Sequence, residues 1–212
     1  MLKHVRGIDH AIVLVRDLDR ARDAYERLGF TLTPRGFHSL GTQNHCIMFE
    51  RDYLELMAVP RPHPAIQYFS DFLAQREGVG GIVLATDDAP ALHAELAAAG
   101  IVAEAPLALS RPIAGLGEAR FSLLQLPAGA TPGFRTLACQ HHTRDLVWRP
   151  EYQRHANGAL GIEAISIASP DPERYAPMLD GLPLEFSVAT EPAITAIRLR
   201  VAAGPAIELT FA

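Results

Sequence analysis

Histidines placed inside apolar segments are the feature of this sequence that points most directly to chemistry. His10 follows Asp9 within a run of aliphatic residues that is typical of a buried strand. His45 lies between Asn44 and Cys46 in a second such run. An imidazole in a core can bind a metal or transfer a proton, and it can equally hydrogen-bond a backbone carbonyl. Both interpretations stay open for these two histidines.

A second group of polar residues follows a predicted strand in the middle of the chain. His141 and His142 end that strand, so one of them must face each side of the sheet, although adjacent histidines at a strand end can also be merely solvated. Residues 148–155, WRPEYQRH, come next. They can form a rim in which Arg149 grips an anionic or carbonyl-bearing substrate, or a connector in which Trp148 seals the core.

The element that positions His10 is a strand–turn–helix unit at residues 7–30, GIDHAIVLVRDLDRARDAYERLGF. Its apolar residues are first contiguous and then recur at spacings of three and four, which predicts a strand followed by an amphipathic helix. Asp17 can cap that helix, and Gly29 can end it in a left-handed conformation. The unit recurs at residues 78–101, and a weaker copy begins at residue 161, so the chain contains a repeated supersecondary structure.

Further strands are predicted from apolar runs bounded by turn residues. After the first helix they fall at residues 30–34, 42–49 and 53–59, which makes the first copy a β-α-β-β-β unit. In the second copy they fall at residues 105–110, 119–126 and 134–141, separated by Gly/Pro-rich loops at 112–117 and 127–133, and in the third at 195–202 and 206–211. The predicted organisation is a first module at residues 1–60, a connecting helix at 61–77, a second module at 78–141, a bridging segment at 142–160 and a partial third β-α-β-β module at 161–212.

Composition excludes several classes of partner. The 212-residue chain is 49% hydrophobic, so it can bury a substantial core, and its net charge of −5 argues against binding to nucleic acid or to an anionic membrane. Cys46 and Cys139 lie in different repeats, which argues against a disulfide framework and favours a cytoplasmic location. Both cysteines are expected to be small buried residues. A small-molecule substrate or ligand is the expected partner, together with a second copy of the chain in a homodimer.

The chain resembles the vicinal oxygen chelate superfamily, which includes glyoxalase I, extradiol dioxygenases and bleomycin-resistance proteins. The first repeat, GTQNHCIMF and YLELMAV carry this resemblance, and residues 148–158, WRPEYQRHANG, make the chain most similar to the glyoxalase-like domain group. The resemblance implies an α+β fold in which tandem β-α-β-β-β modules form an open, cupped mixed sheet with helices on the convex side.

The resemblance also implies a divalent metal on the concave face, held by a His or Gln on each first strand and a Glu on each fourth strand. His10 and Glu55 match these positions in the first copy. In the second copy Gly81 replaces the histidine and residues 134–141 contain no carboxylate, while the third copy has Ala164 and Glu208. The expected ligand set is therefore incomplete.

Strand alternation and ligand chemistry indicate which residues could still hold the metal. Glu55 shares a side with Tyr53 and Met57, so it points into the cup. We predict that His10, Glu55 and His142 hold Fe, Mn, Ni or Zn, because two imidazoles and one carboxylate suit these metals. The plain alternative pairs Glu55 with a buried arginine. Predicted substrate-binding residues are Asn44, His45, His141, Trp148 and Arg149.

The expected function is a metal-dependent lyase, isomerase or dioxygenase that acts on a small 2-oxo, hydroxy-carbonyl or catechol-like substrate, with Glu55 and His10 as the catalytic residues. A metal-free binding or sequestering protein of the bleomycin-resistance type is the competing hypothesis, because the ligand set is incomplete. A noncatalytic interaction module is the third.

Overall fold

The computed structural model describes residues 2–211, which form two β-sheets and four α-helices. The first repeat comprises β1 (Gly7–Leu14), α1 (Leu18–Arg27), β2 (Gly36–Phe37), β3 (Gln43–Met48) and β4 (Tyr53–Ala58). Helix α2 (Gln67–Gln75) leads to β5 (Gly78–Ala85), α3 (Ala89–Ala98), β6 (Leu107–Ile113), β7 (Gly117–Gln125) and β8 (Arg135–His141). The last part of the chain contains β9 (Ala159–Ser169), α4 (Ala176–Leu179), β10 (Leu184–Val188), β11 (Ala193–Val201) and β12 (Ile207–Thr210).

The helices of the two repeats begin and end at the residues that the sequence indicates. The Asp17 side chain accepts a hydrogen bond from the Arg20 amide at 2.9 Å, and Asp88 does the same for Ala91 at 2.9 Å. Each bond satisfies an amide in the first turn that has no partner inside the helix. Gly29 and Gly100 follow the two helices with φ values of +86° and +76°, which glycine adopts without strain.

The first two repeats combine into one eight-stranded sheet with the order β2-β3-β4-β1-β5-β8-β7-β6. β1 and β5 are antiparallel neighbours at its centre, and each is flanked by the parallel last strand of its own repeat. The sheet curves into a nearly closed cup, and the α+β prediction with an open, cupped mixed sheet is confirmed.

The two faces of this sheet carry separate apolar clusters. The convex cluster includes Leu18 of α1 and Leu92 of α3. The concave cluster includes Ile12 and Leu14 of β1, and the apolar side of α2, represented by Phe69, packs against it. Helix α2 therefore lies inside the cup and closes part of it, while α1 and α3 cover the outside. None of the helices within residues 2–211 is both long and apolar enough to cross a membrane.

Two predicted elements differ from the structure. Residues 30–34 form an extended segment and no strand. The Thr33 hydroxyl accepts a bond from the Cys46 amide at 2.9 Å, and Pro34 has no amide hydrogen to continue a ladder, so only the two residues of β2 pair with β3. The predicted Gly/Pro-rich loop at 112–117 is shorter in the structure, because Pro112 and Ile113 continue β6 and pair with Glu118 and Gly117.

The last part of the chain forms a separate four-stranded sheet with the order β10-β9-β11-β12. β10 follows α4 in the chain and pairs in parallel with β9. In the first repeat, by contrast, β2 and β3 lie between α1 and the parallel strand β4. Sequence patterns indicated β11 and β12 but not β10, whose residues are mostly exposed. Ile165 and Ile197 of this sheet belong to the convex cluster, so the second sheet packs on the outside of the cup.

Replacement of Gly133 by alanine is expected to destabilise the protein by about 2 kcal/mol or more. Gly133 has a φ of +89°, and a Cβ atom there would collide with the carbonyl oxygen of Pro192, which precedes β11. Gly100→Ala is the matched control, because Gly100 has a φ of +76° and a Cβ atom added there would meet no atom within 4 Å. Urea denaturation should show a larger loss for Gly133→Ala, and equal losses would contradict this packing of the second sheet.

Candidate active site

A cavity of about 70 Å³ lies inside the cup and is bordered by strands of both repeats and by the start of α2. Most of its wall is apolar, with contributions from Ile12, Phe69, Phe121 and Leu137. Its polar wall comprises His10, His38, Thr42, Asn44 and Glu55 of the first repeat, together with Arg111 and Gln125 of the second. A pocket with apolar walls and a few convergent polar groups is the usual form of a small-molecule site.

A β-bulge in β1 brings His10 and Asp9 together. The pairing of β1 with β5 shifts register between Ile8 and His10, so Asp9 has no partner on β5. Bulges re-aim side chains in this way and are common beside active sites. Asp9 Oδ2 lies 2.7 Å from His10 Nδ1 and 3.1 Å from His141 Nε2. Asp9 therefore orients both imidazoles and leaves Nε2 of His10 facing Glu55.

Glu55 is the centre of the polar cluster. Strand alternation places it in the cavity wall beside Tyr53 and Met57, on the side that the sequence predicts. Its Oε2 atom lies 3.4 Å from His10 Nε2, and its Oε1 atom lies 4.0 Å from His38 Nε2. Asn44 Nδ2 donates a 2.6 Å hydrogen bond to Oε1. The carboxylate is thus held between two imidazoles and one amide.

These contacts change the protonation of the buried groups. Burial lowers the pKa of His10, but the hydrogen bonds and negative charges of Asp9 and Glu55 outweigh it and raise that pKa to about 9. Burial raises the pKa of Glu55, but His10 and Asn44 outweigh it and lower that pKa to about 2. The pKa of Asp9 is likewise lowered to about 2, because hydrogen bonds from His10 and His141 outweigh its burial. At neutral pH the cluster is therefore a protonated His10 between two carboxylates.

His38 was not indicated by the sequence, although it is the second imidazole beside Glu55. It lies between β2 and β3, where its Nδ1 atom is 2.7 Å from the Thr42 hydroxyl. Burial lowers the pKa of His38 to about 4, so the ring is neutral and its Nε2 can accept a hydrogen bond or bind a metal. His38 precedes the GTQN motif by three residues, but no periodicity marks a residue in a turn.

The structure brings some of the predicted site residues together and separates others. His10, Asn44 and Glu55 line the cavity, and His141 contacts the cluster through Asp9. His142 does not line this cavity. Its Nε2 atom lies 2.8 Å from the Ser122 hydroxyl in a separate cleft, because His142 alternates with Leu137, Cys139 and His141, which lie on the concave side.

Three other predicted substrate-binding residues lie outside the cavity. His45 alternates with Asn44 and Cys46 and faces the other side of β3, where its Nδ1 atom is 2.7 Å from the Thr33 carbonyl oxygen. Trp148 packs edge-on against Tyr53 and His141. Arg149 pairs with Glu151 and borders a separate cavity.

The cysteines do not offer a nucleophile. Burial raises the pKa of Cys46 to about 12 and raises that of Cys139 well above its ordinary value. Ligand atoms of Asp9, Cys139 and His141 lie within 4.8 Å of one another, and they are the one such group of three within residues 2–211 that could hold a metal. A protonated thiol is a poor metal ligand, and Asp9 Oδ2 already lies within hydrogen-bond distance of two imidazoles.

The fold defines a protein of the vicinal oxygen chelate type, in which two β-α-β-β-β modules form one cupped sheet around a polar cluster. A family model described as a glyoxalase-like domain matches residues 8–182. The chain therefore belongs to the glyoxalase-like domain family.

Solved structures share this fold. A hypothetical protein from Staphylococcus aureus aligns with a TM-score of 0.76 at 14% identity, over 93% of this chain and 92% of that protein. Methylmalonyl-CoA epimerase from Mycobacterium tuberculosis aligns with a TM-score of 0.52 at 20% identity, over 68% of this chain and 93% of its own. The Streptomyces coelicolor epimerase, in complex with 2-nitronate-propionyl-CoA, has a TM-score of 0.53 at 20% identity, over 66% and 96%. No curated protein matches the sequence.

Proposed function

We propose that this protein is a metal-dependent enzyme that moves a proton at the carbon beside a carbonyl group, on a small substrate with two neighbouring oxygen atoms. One observation carries the proposal: the Glu55 carboxylate lies between the His10 and His38 imidazoles at the wall of an apolar cavity. The likeness to methylmalonyl-CoA epimerases concerns the fold alone, so the reaction class rests on this site.

The residues around Glu55 fit a divalent metal. Two imidazoles and one carboxylate are a ligand set that suits Fe, Mn, Ni and Zn. His10 has the hydrogen-bonded carboxylate on its other ring nitrogen that metal-binding histidines usually have. His38 takes the place in this set that the sequence assigned to His142. When bound, such a metal would polarise the substrate carbonyl as a Lewis acid.

Side chains of this protein carry out the proton transfer and position the groups that take part in it. Glu55 is the proposed base, which accepts the proton from the carbon beside the carbonyl and returns it. Asn44 fixes one of its oxygens through the 2.6 Å hydrogen bond, so the other remains directed at His10. The apolar wall formed by residues such as Phe69 and Phe121 excludes water, which strengthens these interactions.

A metal-free binding protein is the second candidate, and one observation favours it. His10 and Glu55 satisfy each other's charge without any metal, since a protonated imidazole lies 3.4 Å from an ionised carboxylate. In that case the apolar cavity would sequester a small ligand, and the first repeat would supply its polar contacts. The cytoplasmic location and the homodimer stay predictions under either function.

Metal content distinguishes the two candidates. The protein purified without added metal is expected to contain about one transition-metal ion per chain, measured by mass spectrometry. His10→Ala, Glu55→Ala and His38→Ala should each lower its affinity by at least about tenfold. His142→Ala is the matched control and should retain the metal, because His142 contacts Ser122 outside the cavity. An unaltered metal content in the first three variants, or a metal-free parent protein that binds an apolar ligand tightly, would reject the metal-dependent enzyme.

A further inference from the structure

Arg111 is a buried arginine whose side chain has no partner among residues 2–211. It lies on β6 with 6% of its surface exposed, and it borders the cavity that contains Glu55. Within residues 2–211 its guanidinium takes part in no side-chain hydrogen bond and no ion pair. A guanidinium removed from water is costly unless an anion or several acceptors compensate it, so buried arginines are almost always paired. The described residues therefore leave the Arg111 guanidinium available to an anionic ligand.

The position of Arg111 relates it to the polar cluster. A Cβ atom at Gly36 would lie 2.9 Å from Arg111 Nη1 and would collide with Asn44 Oδ1, so only glycine fits between these two side chains. Asn44 Oδ1 is itself buried and has no hydrogen-bond partner in the described part of the chain. The other end of the Asn44 amide donates to Glu55. Arg111 and Asn44 thus present a donor and an unused acceptor next to the proposed base.

The positive charge of Arg111 affects the pKa values of two residues near the cavity, His38 and Cys46. It contributes to lowering the pKa of His38, after the larger effect of burial, and it opposes the effect of burial on the pKa of Cys46. Both effects require that the positive charge lies near these groups inside the cup. The guanidinium therefore lies near the polar cluster, in agreement with the place of Arg111 in the cavity wall.

A second and larger cavity of about 340 Å³ also borders Arg111. Two other arginines line it, but both are engaged: Arg35 pairs with Asp19 at 2.6 Å, and Arg149 pairs with Glu151. Arg111 lines both cavities, so its side chain lies between the polar cluster and the larger space.

We infer that Arg111 binds the carboxylate of the substrate, and that the protein therefore selects small carboxylic acids with an apolar side chain. The planar fork of a guanidinium donates two parallel hydrogen bonds to a carboxylate, which is the geometry that arginine recognises best. The oxygen-bearing carbon next to that carboxylate would then face Glu55. The substrate class rests on the proposed function, but carboxylate binding at Arg111 does not depend on catalysis.

Binding of a matched pair of probes tests the inference. 3-Methylbutanoate and 3-methylbutanamide have the same shape and differ in charge, so calorimetric titration of the purified protein isolates the contribution of the carboxylate. The acid is expected to bind at least about tenfold more tightly than the amide, because hydrogen bonds to charged groups are the stronger ones. Arg111→Met should remove this preference and leave the metal content unchanged. Arg120→Gln, on the exposed side of the same hairpin, should retain the preference.

Thermal stability is the second measurement, because it separates a binding role from a structural one. Arg111→Met removes an unpaired buried charge, so its Tm without ligand should equal or exceed that of the parent protein. A fall in Tm of about 5 °C or more would show that Arg111 has a structural partner and would overturn the inference. Equal affinities of the parent protein for acid and amide would overturn it as well. Loss of the metal with retained acid preference would reject the proposed enzyme and leave the Arg111 site intact.

Discussion

Replacement of Glu55 by glutamine is expected to lower the catalysed rate by about 10²-fold to 10⁴-fold, which is the usual contribution of a positioned acid–base group. Glutamine has the same shape and can still accept the hydrogen bond from Asn44, but it cannot accept a proton. The measurement is the exchange of solvent deuterium into the carbon beside the carbonyl of small 2-oxo acids, followed by NMR. This exchange reports proton removal directly and does not require the product to be known.

The matched control for Glu55 lies in the second sheet. Glu208 stands in the segment IELT, which resembles the segment LELM around Glu55, but Glu208 is exposed on β12 and opposes Arg198 in the ladder with β11. Glu208→Gln should exchange deuterium at the parent rate. A folded Glu55→Gln variant with the parent rate would show that Glu55 is not the base, whatever the metal content of the protein.

Replacement of Asp9 by asparagine is expected to lower the free energy of unfolding by about 3 to 5 kcal/mol, the cost of breaking a buried ion pair by removing one partner. Asp9 is 1% exposed and accepts hydrogen bonds from His10 and His141, so its loss leaves imidazole nitrogens without their negative partner. Urea denaturation at pH 6 measures the change. Asp87→Asn is the control and should have little effect, because Asp87 forms an exposed ion pair with Arg6.

The pH dependence of stability provides an independent check on the same cluster. The pKa values of Asp9 and Glu55 are lowered to about 2, so their contribution is present above about pH 4.5 and is lost as the pH falls towards 2. The pKa of His10 is raised to about 9, so its contribution is present below about pH 6.5 and is lost as the pH rises through 9. Taken alone, these three groups stabilise the metal-free protein most between about pH 4.5 and 6.5, whereas the lowered pKa of His38 opposes this by reducing stability as the pH falls from about 6.5 towards 4.

The Asp9→Asn variant should alter that profile in a defined direction. Without the carboxylate of Asp9, the pKa of His10 falls, so the loss of stability on the alkaline side becomes smaller. Thermal denaturation of both proteins from pH 3 to 10 gives the comparison. Identical alkaline limbs for the parent and the variant would show that Asp9 and His10 are not coupled.

The sequence by itself determined the repeated strands and helices and the side of the sheet that Glu55 faces. Helix starts at Asp17 and Asp88 depend on local hydrogen bonds, and glycines such as Gly29 end helices through their own backbone freedom, so these features are visible in a short window of sequence. Glu55 could be placed on the cup side because alternation along a regular strand is a local property.

Only the tertiary structure decided which other residues reach Glu55. The bulge at Asp9 arises from the pairing of β1 with β5, and His38 and Arg111 come from a turn and from a distant strand. His141 and His142 could not be assigned to a side in advance, because β8 has buried residues on both faces and its pattern shows no polar phase. Local periodicity specifies elements, whereas a binding site is made by side chains that converge from separate parts of the chain.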